Sequence, residues 1–341
     1  MRSWTWRYLV RASVLLASLT IASAAQEPAA PPQPDFGAWL EGVRTEARQR
    51  GISAATVDRA LNGLEIEPVV VARDRAQPEQ VQSLDTYLQQ RLAPRTLRSA
   101  AEMRKAHRQL LDRIDAQYGV PPEMLIAVWG IESNFGKFTG TRPVITSLAT
   151  LAFDARRPAL FRAELFHALT ILDQGHIALD DLKGSWAGAM GQPQFMPSSY
   201  LKHAVDFDGD GRADIWKTES DVFASIANYL KGAGWVDGER WGRQVRISRA
   251  ALNRIERQVP MRAKGCRAVR EMTESRPLSQ WAALEVVLTN GRALPRAEME
   301  ASLVRGVKQY FLVYRNYHAL IDYNCSNSYA ISAGMLADRV R

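Results

Sequence analysis

The 341-residue chain is short of several features, and each shortage narrows what it can do. Cysteine occurs only at 266 and 325, so at most one disulfide is available. Cys266 and Cys325 either pair in an oxidising compartment or remain two buried thiols. The histidines His107, His167, His176, His203 and His318 form no ligand spacing of the HExxH kind and read as structural or surface residues. No lysine/arginine block with interleaved aromatics exists, so nucleic-acid binding has no support. No internal repeat is evident either, which removes the solenoid classes. Long apolar runs are missing outside the N-terminus, where Val14 to Ile21 is too short for a comfortable membrane span.

That N-terminal run is still informative. Arg2, Arg7 and Arg11 precede it, and the small residues Ala22-Ser23-Ala24-Ala25 follow, so residues 1–25 read as a secretory signal, with an uncleaved signal anchor as the alternative. No cysteine lies near its exit, so a lipid-anchored N-terminus is not supported. The expected product is exported, periplasmic and monomeric. The net charge of +8 falls to +5 once the three arginines of the signal are set aside, which suits an anionic cell-wall polymer as partner. Residues 26–34 form a proline-rich spacer.

Beyond the spacer, helix dominates. Phe36, Trp39, Leu40, Val43 and Ala47 recur with helical period, and Gly51-Ile52-Ser53 separates them from a second helix, Ala54 to Leu61. Gln80 to Leu92 and Thr96 to Tyr118 show the same spacing. Between Val144 and Leu172 two further helices flank Arg156-Arg157-Pro158, a basic pair that reads as a solvated connection, with peptide carboxylates as the alternative target. From Gln244 to about Tyr310 short β-rich runs alternate with Gly, Pro and Asn, which predicts a small mixed insertion. The tail then returns to helix after Tyr323.

One stretch organises the rest. Pro121-Pro122 begins an apolar helix that Gly136 ends, placing Glu132 in its last turn. Leu125, Val128 and Glu132 share one face, beside Trp129 and Phe135. Burial and the negative helix end both disfavour the ionised carboxylate, and a glutamate kept protonated near neutral pH can act as a general acid. The competing reading is a glutamate snorkelling from a core helix. A second stretch, Gly184 to Tyr200, mixes Gly, amides, hydroxyls and aromatics in the manner of a saccharide cleft. A third, Asp206-Phe207-Asp208-Gly209-Asp210-Gly211-Arg212, alternates carboxylates as hard-cation loops do. Position twelve of that loop is Lys217, not the bidentate Glu of an ordinary EF-hand.

Taken together, Trp129-Gly130-Ile131-Glu132-Ser133-Asn134-Phe135-Gly136 and Gly188-Ala189-Met190-Gly191-Gln192-Pro193-Gln194-Phe195-Met196-Pro197-Ser198-Ser199 closely resemble the lytic murein transglycosylase B family. The resemblance extends to Asp74-Arg75-Ala76-Gln77-Pro78-Glu79, Ser147 to Leu151, Ala155-Arg156-Arg157 and Tyr323-Asn324 with Ser326 and Tyr329. It implies a mainly α fold (α+β). A lysozyme-like core over 80–242 is rejoined by 311–341, with an N-terminal helical region at 35–79 and the mixed insertion at 243–310. It also implies cleavage of the bond between N-acetylmuramic acid and N-acetylglucosamine in peptidoglycan without water, leaving a 1,6-anhydro end. Glu132 matches the single catalytic acid/base, and Ser185, Gln194, Phe195, Tyr229, Tyr323, Asn324 and Tyr329 match cleft positions. The resembled family closes its cation loop, here 206–221, with a later carboxylate. That makes Asp206, Asp208, Asp210, Arg212 and Asp221 the expected set for a structural Ca²⁺, with Glu219 as the alternative to Asp221. Cell-wall synthesis or division machinery is an expected partner. The rivals are a hydrolytic muramidase and a non-catalytic wall-binding scaffold.

Overall fold

The structure is a computed structural model that describes residues 35–76 and 82–341. The expected signal and spacer, and the boundary near residue 80 with Gln77 to Glu79, lie outside the described residues. Phe36 to Arg341 forms one compact unit. No helix among the described residues is long and apolar enough to cross a membrane.

Many of the helices begin where the sequence offers a cap or a proline. The N-terminal set is α1 (Phe36–Gln49), α2 (Ala54–Leu61) and α3 (Pro68–Arg75). Ser53 caps α2 by accepting a hydrogen bond from the Thr56 amide, and α3 starts on Pro68. Then come α4 (Leu84–Arg91), capped by Ser83, and α5 (Pro94–Ala106), again begun by proline. The run expected from Thr96 to Tyr118 is broken at His107, which ends α5 and precedes α6 (Arg108–Tyr118). Gly119, at φ 69°, closes α6. The central helix α7 (Pro122–Ser133) follows and is buried along nearly its whole length.

The two-residue strand β1 (Arg142–Pro143) leads into α8 (Val144–Phe153) and α9 (Pro158–Asp173), which pack against each other on either side of the basic turn as expected. β1 pairs antiparallel with β2 (Lys183–Gly184). After the glycine-aromatic loop come α10 (Pro197–His203) and α11 (Glu219–Gly232).

The mixed region contains β3 (Gly242–Arg246), α12 (Arg249–Gln258), α13 (Arg267–Arg270), β4 (Arg276–Pro277), α14 (Leu278–Ala283), β5 (Val287–Leu288), β6 (Glu300–Arg305) and β7 (Tyr310–Val313). The strands form one sheet in the order β4-β6-β7-β3-β5, antiparallel throughout. The boundary drawn at residue 310 is corrected here, because β7 belongs to this sheet: Phe311 and Leu312 alternate between two cores as a half-buried strand must. α15 (Arg315–Tyr323) and α16 (Asn327–Arg339) return to the helical body.

Three apolar clusters hold the unit. The first joins α4 to α7 with α11, α15 and α16, around Trp129, Phe223 and Tyr317. In the second, α1 to α3 share one core with α8 to α10, so the N-terminal helices have no separate interior. The third lies under the sheet, around Trp281. Cys266 and Cys325 form a disulfide across 59 residues and tie the mixed region to the turn between α15 and α16.

Candidate active site

Glu132 sits where α7 stops. Asn134 (φ 50°), Phe135 (φ 59°) and Gly136 (φ 76°) follow one another in the left-handed region and reverse the chain. That reversal lays the Phe135 ring over Gly130, where a Cβ would come within 2.6 Å of the ring. Ser133 stabilises the turn by donating to the Trp129 carbonyl and accepting from the Gly136 amide.

At this end of the helix the Glu132 side chain is only partly exposed. Burial raises its pKa from 4.5 to about 7; the Tyr329 hydroxyl and the Arg91 guanidinium act in the opposite direction. Burial, reinforced by the neighbouring Glu132 charge, holds the Tyr323 and Tyr329 phenols well above their usual range, so both remain donors. The Tyr329 hydroxyl is buried, faces Glu132 and has no other partner among the described residues. No second carboxylate is among the groups that shift Glu132.

The remaining cleft residues assemble from three segments. Tyr323, at the end of α15, donates to the Pro193 carbonyl (2.7 Å), and Tyr229, on α11, donates to the Asp322 carbonyl (2.8 Å). Their rings lie 4.6 Å apart, with Phe195 5.5 Å from Tyr229 and 5.8 Å from Tyr323. Tyr329 is stacked on Tyr323 at 6.3 Å. Its position is fixed by Ser326, which caps α16 by accepting from the Tyr329 amide. Asn324 is exposed at the adjoining turn. Ser185 and Gln194 shape the loop itself. The Ser185 hydroxyl accepts from the Ala187 and Ala189 amides, and Gln194, at φ 53°, donates from Nε2 to the Gly191 and Thr139 carbonyls.

Sequence reasoning passed over three residues that build this site. Gln192 is buried and bridges two parts of the fold: Oε1 accepts from Trp129 Nε1 (2.7 Å) and Nε2 donates to the Trp216 carbonyl (3.0 Å). Arg91 and Tyr87, one turn apart on α4, act electrostatically on Glu132 and Tyr329 respectively, and the Arg91 guanidinium lies over the Tyr87 ring at 5.2 Å. Only that four-residue spacing could have flagged them. α4 is itself held from the other side, because Asp85 accepts from the Val307 amide (2.8 Å), the Lys308 amide (3.4 Å) and Gln309 Nε2 (3.1 Å) at the tip of the β6-β7 hairpin.

Arg156 and Arg157 have a partner that the sequence reading did not foresee. They lie on an exposed connection, as expected, and in addition both pair with Asp74, a carboxylate only 1% exposed, and so pin α3 to the α8-α9 turn. A buried carboxylate without such partners is costly.

In the acidic loop, carboxylate oxygens of Asp206, Asp208 and Asp210 all lie within 4.8 Å of one another. Three hard oxygen donors so gathered, on an exposed loop, fit a divalent cation. Arg212 follows with its amide donating to Asp210 Oδ1 (2.8 Å). Asp221 stands apart from the cluster. It is fully buried, and its two oxygens accept from the Phe207 and Asp214 amides, both at 2.9 Å, clamping the loop ends together. Glu219 faces His107 instead, at 3.4 Å.

A family model described as a Transglycosylase SLT domain matches residues 35–338. Membrane-bound lytic murein transglycosylase B of Escherichia coli (strain K12) is 38% identical over 155 residues, covering 45% of this chain and 43% of that protein. The chain thus spans under half the length of this curated relative. The crystal structure of SltB3 from Pseudomonas aeruginosa in complex with NAG-anhNAM-pentapeptide is 39% identical, with a TM-score of 0.80 over 89% of this chain and 79% of that one. The Escherichia coli lytic transglycosylase Slt35 in complex with calcium is 27% identical, with a TM-score of 0.73 over 91% and 93%. With the helical core, Glu132 and the tyrosines beside it in the same chain as these matches, the protein belongs to the lytic murein transglycosylase B family of SLT-domain proteins.

Proposed function

We propose that this chain cleaves the β-1,4 bond between N-acetylmuramic acid and N-acetylglucosamine in peptidoglycan without water. Glu132 serves first as acid and then as base. The observation that carries the reading is a single carboxyl group, largely protonated up to about pH 7, with tyrosine hydroxyls around it and no second acid acting on it. An ordinary glycosidase needs a second carboxylate as nucleophile or as base for water. An intramolecular nucleophile removes that need. Glu132 gives its proton to the leaving glycosidic oxygen as the bond to the anomeric carbon breaks. The muramoyl 6-hydroxyl oxygen then bonds to that carbon, and its proton returns to the Glu132 carboxylate. Charge developing on the ring is met by the fixed dipoles of Tyr323, Tyr329 and the loop amides, which cost no reorganisation at the moment of reaction. The anhydro sugar named in the SltB3 complex is the kind of end this route makes.

Ser185, Gln194, Phe195, Tyr229, Tyr323, Asn324 and Tyr329 are proposed to line the glycan site. Tyr229 and Tyr323, partly exposed, offer ring faces for sugars with the buried Phe195 and Tyr329 packed behind them, and Asn324 is exposed for polar contact. Asp206, Asp208, Asp210 and the Arg212 carbonyl are proposed to hold Ca²⁺ in a structural role, with Asp221 closing the loop mechanically. A relative's structure in complex with calcium supports this. Export to the periplasm, action as a monomer and contact with cell-wall synthesis or division machinery complete the proposal. The test is mass spectrometry of digested sacculi. Wild-type protein is expected to release fragments lighter by one water than hydrolytic products, and Glu132→Gln to release none while still binding glycan. Reducing ends formed by water would overturn it.

A further inference from the structure

A cavity of about 590 Å³ opens away from Glu132, between the end of the sheet and the start of α15. Its lining carries charges of both signs: Arg240, Arg262 and Arg315 with Glu239 and Glu298, and His318 at the side. Inside one protein such groups normally meet. Here, among the described residues, Arg262 donates only to the Thr273 carbonyl (3.3 Å) and the Ser302 hydroxyl (3.0 Å). Arg315, Glu239 and Glu298 form no ion pair among the described residues, and Arg240 reaches only Asp338, at 3.4 Å. Arg315 also occupies the first turn of its helix, where a cation opposes the macrodipole, so it does not serve helix stability. Guanidinium groups without carboxylate partners, beside carboxylates without cations, form a receptor for a ligand carrying both charges.

The cavity is connected to the cleft along one helix face. Arg315, His318 and Asp322 are three and four residues apart on α15 and so share a face. Electrostatically, His318 feels Arg262 from the cavity side and Asp322 from its own helix. The carbonyl of Asp322 in turn holds the Tyr229 hydroxyl in the cleft. Seven residues of helix separate cavity from cleft, about 10 Å at the helical rise, a distance that three extended peptide residues cover.

We propose that this cavity binds the peptide stem of a peptidoglycan strand whose sugars occupy the Glu132 cleft. Stem carboxylates meet Arg262 and Arg315, and a stem ammonium meets Glu298. The inference rests on the function proposed above. The stem side chains thereby add binding energy away from the reacting bond, so the enzyme prefers strands that keep their peptides.

The experiment compares kcat/KM of the full chain on one strand preparation before and after enzymatic removal of the stems. Wild type is expected to favour stem-bearing strands, and Arg315→Ala to lower that preference about tenfold through KM, the loss of about 1.4 kcal/mol expected for one charge-assisted contact. Arg315→Lys is expected to recover part of it, as charge alone is restored. An unchanged preference in Arg315→Ala overturns the proposal, as does loss of activity on both substrates together. Titration of the free stem tetrapeptide into the Glu132→Gln protein gives a second readout. Saturable binding that Arg315→Ala abolishes supports the site, and no binding overturns it. If wild type makes no anhydro product from either substrate, the proposed function fails instead, a result distinct from lost preference.

Discussion

Glu132→Gln is a stability experiment as well as an activity experiment. Folding raises the carboxyl pKa from 4.5 to about 7, so the native state holds this proton more tightly than the unfolded chain. The sign follows from linkage: the contribution is fully present below pH 4.5 and is lost as pH rises through 7, because the native state must then carry a poorly solvated charge. At 1.36 kcal/mol per pKa unit, the loss is about 3 kcal/mol. Glutamine has the same shape and no charge, so it avoids the loss. Thermal unfolding followed by circular dichroism should give nearly equal midpoints for the two proteins at pH 4.5. At pH 8.5 Glu132→Gln should unfold roughly 6 °C higher, taking about 2 °C per kcal/mol for a chain of this size. A gap that is the same at both pH values, or that favours wild type at pH 8.5, would refute the claim that burial destabilises this carboxylate.

Further outcomes follow from neighbouring contacts. The alkaline limb of kcat/KM should fall near pH 7, and Arg91→Gln should move it upward, because Arg91 lowers the Glu132 pKa; a limb that stays put in low salt would exclude Arg91. Gln192→Leu leaves the Trp129 indole N–H buried without its acceptor and should cost about 2–4 kcal/mol in denaturant unfolding, well beyond a surface substitution. Asp85→Ala removes three hydrogen bonds to the β6-β7 hairpin and should cost about 2 kcal/mol, with Asp85→Asn intermediate. Chelator should lower the unfolding midpoint and added Ca²⁺ restore it, and Asp208→Asn should blunt both effects; a midpoint indifferent to Ca²⁺ would remove the cation from the proposal.

What the sequence revealed and what it hid follow the range of the forces concerned. Proline at the first turn of α7 and the left-handed stop after it are local, so the place of Glu132 was legible from a dozen residues. The glycine-aromatic loop was legible for the same reason. By contrast, the break at His107 carries no glycine or proline and is decided by how the ring packs on Trp129 and Phe223, a tertiary matter. Arg156 and Arg157 are exposed as read, but their partner, Asp74, was hidden because it lies some eighty residues away. The same distance problem hid α4: nothing in Leu84 to Arg91 says that one side meets a hairpin tip 222 residues on while another faces the acid.

The order in which the site's parts arrive has its own consequence. Glu132 lies in the first half of the chain, but the hydroxyls beside it come from Tyr323 and Tyr329, near its end. Contacts of such long sequence separation form late in folding. A chain still emerging, or one clipped anywhere before α16, therefore possesses the acid without the Tyr329 hydroxyl that faces it. The site proposed to cut is complete only when the C-terminal helices dock.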